Sequence, residues 1–185
     1  GKPLAATAGA MTFMNGGNAV DAACAMLAAT CVMTDSLHFG GETQALIYDP
    51  ETNKVYGING MGHMYTGGTP EFFLEQGMAF PPNYGVLAAA TPGTPRGLFV
   101  MLAEFGTMSL KEVLAPATRL ADGYPIEGAL VSGITRREEM LAGWKYSAPI
   151  YLPGGKPPEE GQIFVQKDLA NTFRKLVETE QEALV

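Results

Sequence analysis

The stretch Asn15 to Ala29, NGGNAVDAACAMLAA, constrains this chain more than any other. Asn15-Gly16-Gly17 predicts the stop of one helix, because glycine accepts the left-handed conformation of a C-cap. Asn18 then predicts the cap of the next, with Asp21 three residues on, near the free N–H groups and the positive end of the helix dipole. Asp21 reads as a capping carboxylate rather than a catalytic one. From Ala19 to Met33 almost every residue is small and apolar. A helix without a polar face must be surrounded by protein, and its alanines let other backbones pack close, so it reads as a central helix.

Charge is distributed in a way that bears on what surrounds it. Residues 1–100 carry ten charged side chains and residues 101–185 carry the other twenty-one. The first half therefore belongs to a core or faces another polypeptide. The formal net charge of −7 argues against nucleic acid and anionic membrane surfaces as partners, since both need basic patches. No segment approaches the roughly 20 apolar residues of a membrane span. Cys24 and Cys31, the two cysteines, lie about 10 Å apart along one helix, too far for a disulfide, and read as small buried hydrophobes.

Pro3 suits the first position of a helix, and Leu4, Ala8 and Met11 follow at the spacing of one helical face. Ser36–Gly41 breaks the second helix. Thr43–Asp49 and Lys54–Asn59 predict an antiparallel hairpin turning at Pro50–Asn53. Both of its faces carry apolar residues, which places it within a sandwich. Two strands do not make a stable sheet, and Val86–Ala90 is the one weak further candidate. Thr69-Pro70-Glu71 starts a helix that Gly77 ends. Thr91–Gly97 is a rigid turn into a helix ending at Gly106, with Arg96 read as a structural residue tying that turn to nearby carbonyls or acids. Ser109–Glu112 is a capping box opening a helix to about Ala121. A further helix is expected from about Gly128 to Trp144, a proline- and glycine-rich loop over Pro149–Gly161, and a last helix, capped by Asp168, with a face of Leu169, Phe173, Leu176 and Val177, reaching Val185.

The motifs of several chemistries are missing. His38 and His63 have no cysteine or carboxylate at ligand spacing, so no metal site is expected, and no cofactor. His38 reads as structural. There is no G-x-S-x-G elbow, and Gly57–Gly62 lacks the Gly-Lys-Ser/Thr ending of a phosphate loop. The residues alone describe a charge-poor α+β piece of something larger, without a self-contained catalytic constellation.

The run PLAATAGAMTFMNGGNAVDAACAMLAA resembles the start of the γ-glutamyltranspeptidase family. HFGGETQALIYDPETNKVYGING, TPEFF, AAATPGTPRGLFVMLAEFGTMSLKEVLAPATRLADGYPI and GQIFVQKDLANTF follow in the same order. The resemblance implies the helix-rich N-terminal portion of an αββα N-terminal-nucleophile hydrolase sandwich. Residues 1–185 would be the front part of its large subunit, a single incomplete domain. It implies a precursor that cuts itself before a threonine, whose hydroxyl then attacks γ-glutamyl amides. The partner would be the small subunit of the same precursor, which would hold that threonine, so no catalytic residue is expected in this chain. An acylase or small-amide hydrolase of the same fold and a non-catalytic scaffold stay open as alternatives, and so does the compartment, bacterial cytoplasm or periplasm and beyond. In the family an arginine after the second strand, in a D-F-R-E-like run, grips the substrate α-carboxylate. Here Met61 stands at that place. The substrate-binding candidates are Met61, Gly62 and His63, the last either a pocket residue or a structural loop residue.

Overall fold

A computed structural model describes residues 1–33 and 37–184. The chain is α+β and folds as two compact units. One comprises residues 1–36 and 106–185, the other residues 37–105.

The first unit is built on helices α1 (Pro3–Met14) and α2 (Ala19–Met33). Gly16, at φ +90°, ends α1, and Asn18 Oδ1 accepts from the N–H groups of Val20 and Asp21 to open α2. The expected face of α1 is displaced. Ala5, Ala8, Gly9 and Thr12 are buried, whereas Leu4 and Met11 stand exposed. The reason is that α2 seats its Met26 side chain against Gly9, where a Cβ would lie 2.6 Å from Met26 Cγ and 3.4 Å from the Ala22 carbonyl oxygen, so α1 can offer no side chain at that point. On α2, Cys24, Ala25, Ala28, Ala29 and Val32 are fully buried. A stripe through Ala19, Ala23 and Met26 remains exposed, so this unit covers the apolar helix on one side only.

The second half of this unit supplies the cover. Helix α5 (Leu110–Asp122) opens with the expected capping box between Ser109 and Glu112 and packs Val113, Leu114, Ala117 and Ala121 inward. Helix α9 (Lys167–Ala183) lies against it through Ala170 and Phe173. Asp168 is not its cap. Gln166 holds that position and uses its side chain elsewhere, donating to the Val32 carbonyl at the end of α2 at 2.6 Å. Between α5 and α9 the expected long helix is two, α6 (Gly128–Thr135) and α7 (Glu138–Ala142). Arg137 Nη1 donates to the Gly133 carbonyl, to which its own N–H would donate in a continuous helix, and that N–H donates to the Ile134 carbonyl instead. The expected Pro149–Gly161 loop begins in a short helix, α8 (Ala148–Tyr151). A ladder of β3 (Tyr124–Pro125) with β4 (Ile163–Phe164) escapes sequence reading, since two residues carry no periodicity.

The other unit holds β1 (Thr43–Asp49) and β2 (Lys54–Gly60), antiparallel as expected, with α3 (Pro70–Glu75) and α4 (Thr94–Phe105). Asn53, at φ +54°, closes the hairpin turn. The Ala45–Ile58 and Ile47–Tyr56 pairs share the half-buried face that meets α4, while Leu46, Tyr48 and Val55 stand out on the other. Val86–Ala88 is a 3₁₀ turn rather than a strand, because Gly85, at φ +92°, turns the chain and Val86 is exposed, not paired. The expected helix break begins at Ser36, which lies outside the described residues, as does Val185.

Candidate functional site

At the end of the hairpin in this second unit is a cleft of about 460 Å³. Three backbone segments make its floor. Strand β2 ends at Gly60, the loop Met61–His63 follows, and Thr91–Gly93 runs beside them into α4. The Thr91 N–H donates to the His63 carbonyl at 2.8 Å, and the N–H groups of Gly93 and Thr94 both donate to the Gly41 carbonyl. Below, Thr43 Oγ1 donates to Thr94 Oγ1 at 3.0 Å, tying the start of β1 to the start of α4.

The segments lie so close that side chains are excluded. A Cβ on Gly62 would fall 1.6 Å from the Thr91 carbonyl oxygen, and one on Gly93 would fall 2.0 Å from that of Gly60. Glycine is required here by approach of backbone to backbone. Gly62, a substrate-binding candidate, thereby has a packing role in the floor.

All three candidates line this cleft. Met61 stands exposed at its edge, its N–H bound to Asn59 Oδ1 in an Asx turn, and His63 is exposed beside it. His38 belongs to the turn that leads to Gly41, its carbonyl accepting from the Gly41 N–H.

Arg96 is the residue that sequence reading assigned differently. It lines the cleft from the first turn of α4, and among the described residues its guanidinium makes no hydrogen bond or ion pair. It therefore does not tie the turn to carbonyls or acids; the backbone bonds to Gly41 do that. No Asp or Glu lines the cleft, so its one permanent charge is positive. A signal existed in the sequence: a cation in the first turn of a helix opposes the dipole, which is a poor choice for a structural residue.

Asp21, by contrast, is a structural anchor. It is fully buried, and its carboxylate accepts from the N–H groups of Asn18, Thr107 and Met108 and from Thr107 Oγ1 at 2.6 Å. Burial alone would raise its pKa, but the Thr107 hydroxyl and those backbone N–H groups outweigh it and hold the carboxyl below its ordinary value. Burial pushes the thiols of Cys24 and Cys31 up to about 12, which suits packing and not nucleophilic chemistry. Among the described residues no group of three His, Cys, Asp or Glu side chains is placed to hold a metal ion, and no helix is long and apolar enough to cross a membrane.

The chain is 36% identical over 178 residues to a glutathione hydrolase proenzyme of Bacillus subtilis, covering 93% of this chain and 30% of that protein. It is 33% identical over 192 residues to the acylase ACY 1 proenzyme of a Pseudomonas strain, covering 98% of this chain and 34% of that protein. It thus spans about a third of the length of these relatives. Among solved structures it resembles γ-glutamyltranspeptidase of Helicobacter pylori at a TM-score of 0.90 and 31% identity, over 97% of this chain and 53% of that one. The helix-rich α+β fold is accordingly that of part of an N-terminal-nucleophile hydrolase. With the Gamma-glutamyltranspeptidase family model matching residues 5–184, this chain belongs to the γ-glutamyltranspeptidase family.

Proposed function

We propose that this chain is the front part of the large subunit of a self-processing amidohydrolase that cleaves γ-glutamyl amides. The observation that carries the reading is the match to a glutathione hydrolase proenzyme along 93% of the chain. In the proposed reaction the hydroxyl of an N-terminal threonine, outside residues 1–185, attacks the amide carbonyl while its own α-amine takes the proton. The amine leaves with that proton, and the resulting ester passes its acyl group to water or to a second amine. Met61 and His63 form a wall of the substrate cleft over the floor that Gly62 keeps flat.

The partner in this reading is the small subunit cut from the same precursor, and residues 1–185 are one part of a domain that it completes. Exposed apolar surface supports this. Among the described residues, fifteen of the nineteen exposed large hydrophobics fall in residues 1–100, the charge-poor half. An outward row of Leu46, Tyr48 and Val55 is 82%, 60% and 62% exposed, more than single scattered side chains require.

A second reading, an acylase or small-amide hydrolase of the same fold, is favoured by Met61, a thioether where a fixed cation would hold a γ-glutamyl carboxylate, and by the likeness to the acylase proenzyme. The test uses the full-length protein. It should convert from one band to two, with threonine at the new N-terminus, and release p-nitroaniline from γ-glutamyl p-nitroanilide. Purified residues 1–185 should release none. A single persistent band with no amide cleavage would favour a non-catalytic scaffold, and cleavage of other amides alone would favour the acylase.

A further inference from the structure

We propose that Arg96 is the anion-binding residue of the cleft, so that the amide substrate carries a carboxylate seated between Arg96 and the glycine floor. The inference deepens the proposed function and rests on it for the identity of the substrate.

Three observations converge on Arg96. It lines the same cleft as Met61, Gly62 and His63. Its guanidinium has no ion pair or hydrogen bond among the described residues, although the chain carries an excess of acids and a formal net charge of −7. Lys2 pairs with Glu127 and Arg174 with Asp122, while no other Lys or Arg forms an ion pair among the described residues; what sets the exposed Arg96 apart is its place in the cleft. Finally, no acidic side chain lines the cleft and none lies in the first turn of α4. A cation in that turn is disfavoured by the helix dipole, so its placement adds nothing to the stability of the helix. It does make one spot of an acidic protein positive, beside the backbone of Gly60, Gly62 and Gly93 that lines the cleft.

The floor sets the shape of what can bind. Gly60, Gly62 and Gly93 pack backbone against backbone and line the cleft with peptide groups, against which a planar carboxylate can lie while the guanidinium fork meets its two oxygens, a bidentate geometry that lysine cannot reproduce. Met61 at the edge then contacts the aliphatic part of the ligand rather than its charge.

Two measurements on the full-length protein test this. The first compares kcat/KM for γ-glutamyl p-nitroanilide with that for 4-aminobutanoyl p-nitroanilide, the same acyl chain without the α-carboxylate. Arg96→Gln should lower the preference for the carboxylate-bearing substrate by about ten- to a hundredfold, the range of one charge-assisted hydrogen bond, and Arg96→Lys should recover only part of it. The second is calorimetric titration with glutarate, which wild type should bind and Arg96→Gln should bind at least tenfold more weakly, with neutral glutaramide binding to neither. If wild type cleaves amides but the preference is unchanged in Arg96→Gln, the inference is overturned and the proposed function stands. If no amide is cleaved yet glutarate binds in an Arg96-dependent way, the anion site stands and the proposed function falls. Glutarate binding that Arg96→Gln leaves intact, or no glutarate binding by wild type, overturns the inference.

Discussion

Replacing Asp21 by alanine tests how the first unit is held together. The substitution leaves three backbone N–H groups, of Asn18, Thr107 and Met108, and the Thr107 hydroxyl without their acceptor. A buried donor left unpaired costs about 1–3 kcal/mol. Water entering the space vacated by the carboxylate relieves part of that, so the sum is not additive, and we expect a loss of about 3–5 kcal/mol, at the upper end of single substitutions. Asp21→Asn keeps the shape but turns one acceptor into a donor facing donors, for about 2–3 kcal/mol. Thr107→Val removes one hydroxyl, for about 1–2 kcal/mol, and should be strongly non-additive with Asp21→Ala because the two share a bond.

The carboxyl also gives the experiment a sign. Its folded pKa is held below the ordinary value of 3.8, so the folded state favours the ionised form. That contribution is fully present above the ordinary value and is lost as pH falls through it toward the lowered one. The gap between wild type and Asp21→Ala should be constant from pH 8 to about pH 5 and close progressively below about pH 4. Urea denaturation followed by circular dichroism reads both effects, with a midpoint shift on the order of 1–2 M at pH 7. A shift under about 0.3 M, or a gap that widens as pH falls, would refute the anchor role.

Gly62→Ala and Gly93→Ala should each leave little soluble protein, since their Cβ atoms would meet carbonyl oxygens at 1.6 and 2.0 Å, whereas Gly57→Ala, whose Cβ meets nothing nearer than Leu46 at 3.9 Å, should express and melt like wild type. Cys24 and Cys31, buried with thiols raised to about 12, should resist a thiol reagent at pH 8 in the native protein and react in full once urea unfolds it; fast native labelling would place them at the surface. Isolated residues 1–185 should bind a hydrophobic dye, and Leu46→Lys with Val55→Lys should reduce that binding, because both side chains project from the open face of the hairpin; a monodisperse fragment that ignores the dye would show that the chain covers its own apolar surface.

Sequence reading was reliable where a structure is decided by a few neighbouring atoms. Asn18, Thr69 and Ser109 accept from N–H groups two or three residues ahead, and those bonds need no knowledge of the rest of the fold. It misled where distant packing chose between local options. The Leu4–Met11 face of α1 has the right period and the larger side chains, yet the Ala5–Gly9–Thr12 face is buried, because the Met26 side chain of α2 packs onto Gly9. The same limit hid the cleft. In sequence Gly62 stands out only by its place in a family loop, whereas the need for glycine there arises from Thr91, twenty-nine residues on. In sequence Arg96 belongs to its turn, and only the fold puts it in one cleft with Met61 and His63.

Close packing by small residues has a consequence for how the helices are aligned. Apolar stabilisation scales with buried area, roughly 25 cal/mol per Å², and an alanine offers little of it and few ridges to lock one helix against the next. Alanine-rich α2 could slide past its neighbours at modest loss. Polar side chains at helix ends remove that freedom. Asp21 fixes the start of α2 to Thr107 and Met108, and Gln166 joins its end to α9 through the Val32 carbonyl. The Gln166 N–H meanwhile takes the Ala121 carbonyl at the end of α5, and Glu180 accepts from the Leu110 N–H at its start. Each of these bonds is made in one register only, and a shift of a single residue would leave a helix-end group unpaired. The helix that looked unanchored in sequence, for want of a polar face, is thus positioned from its two ends.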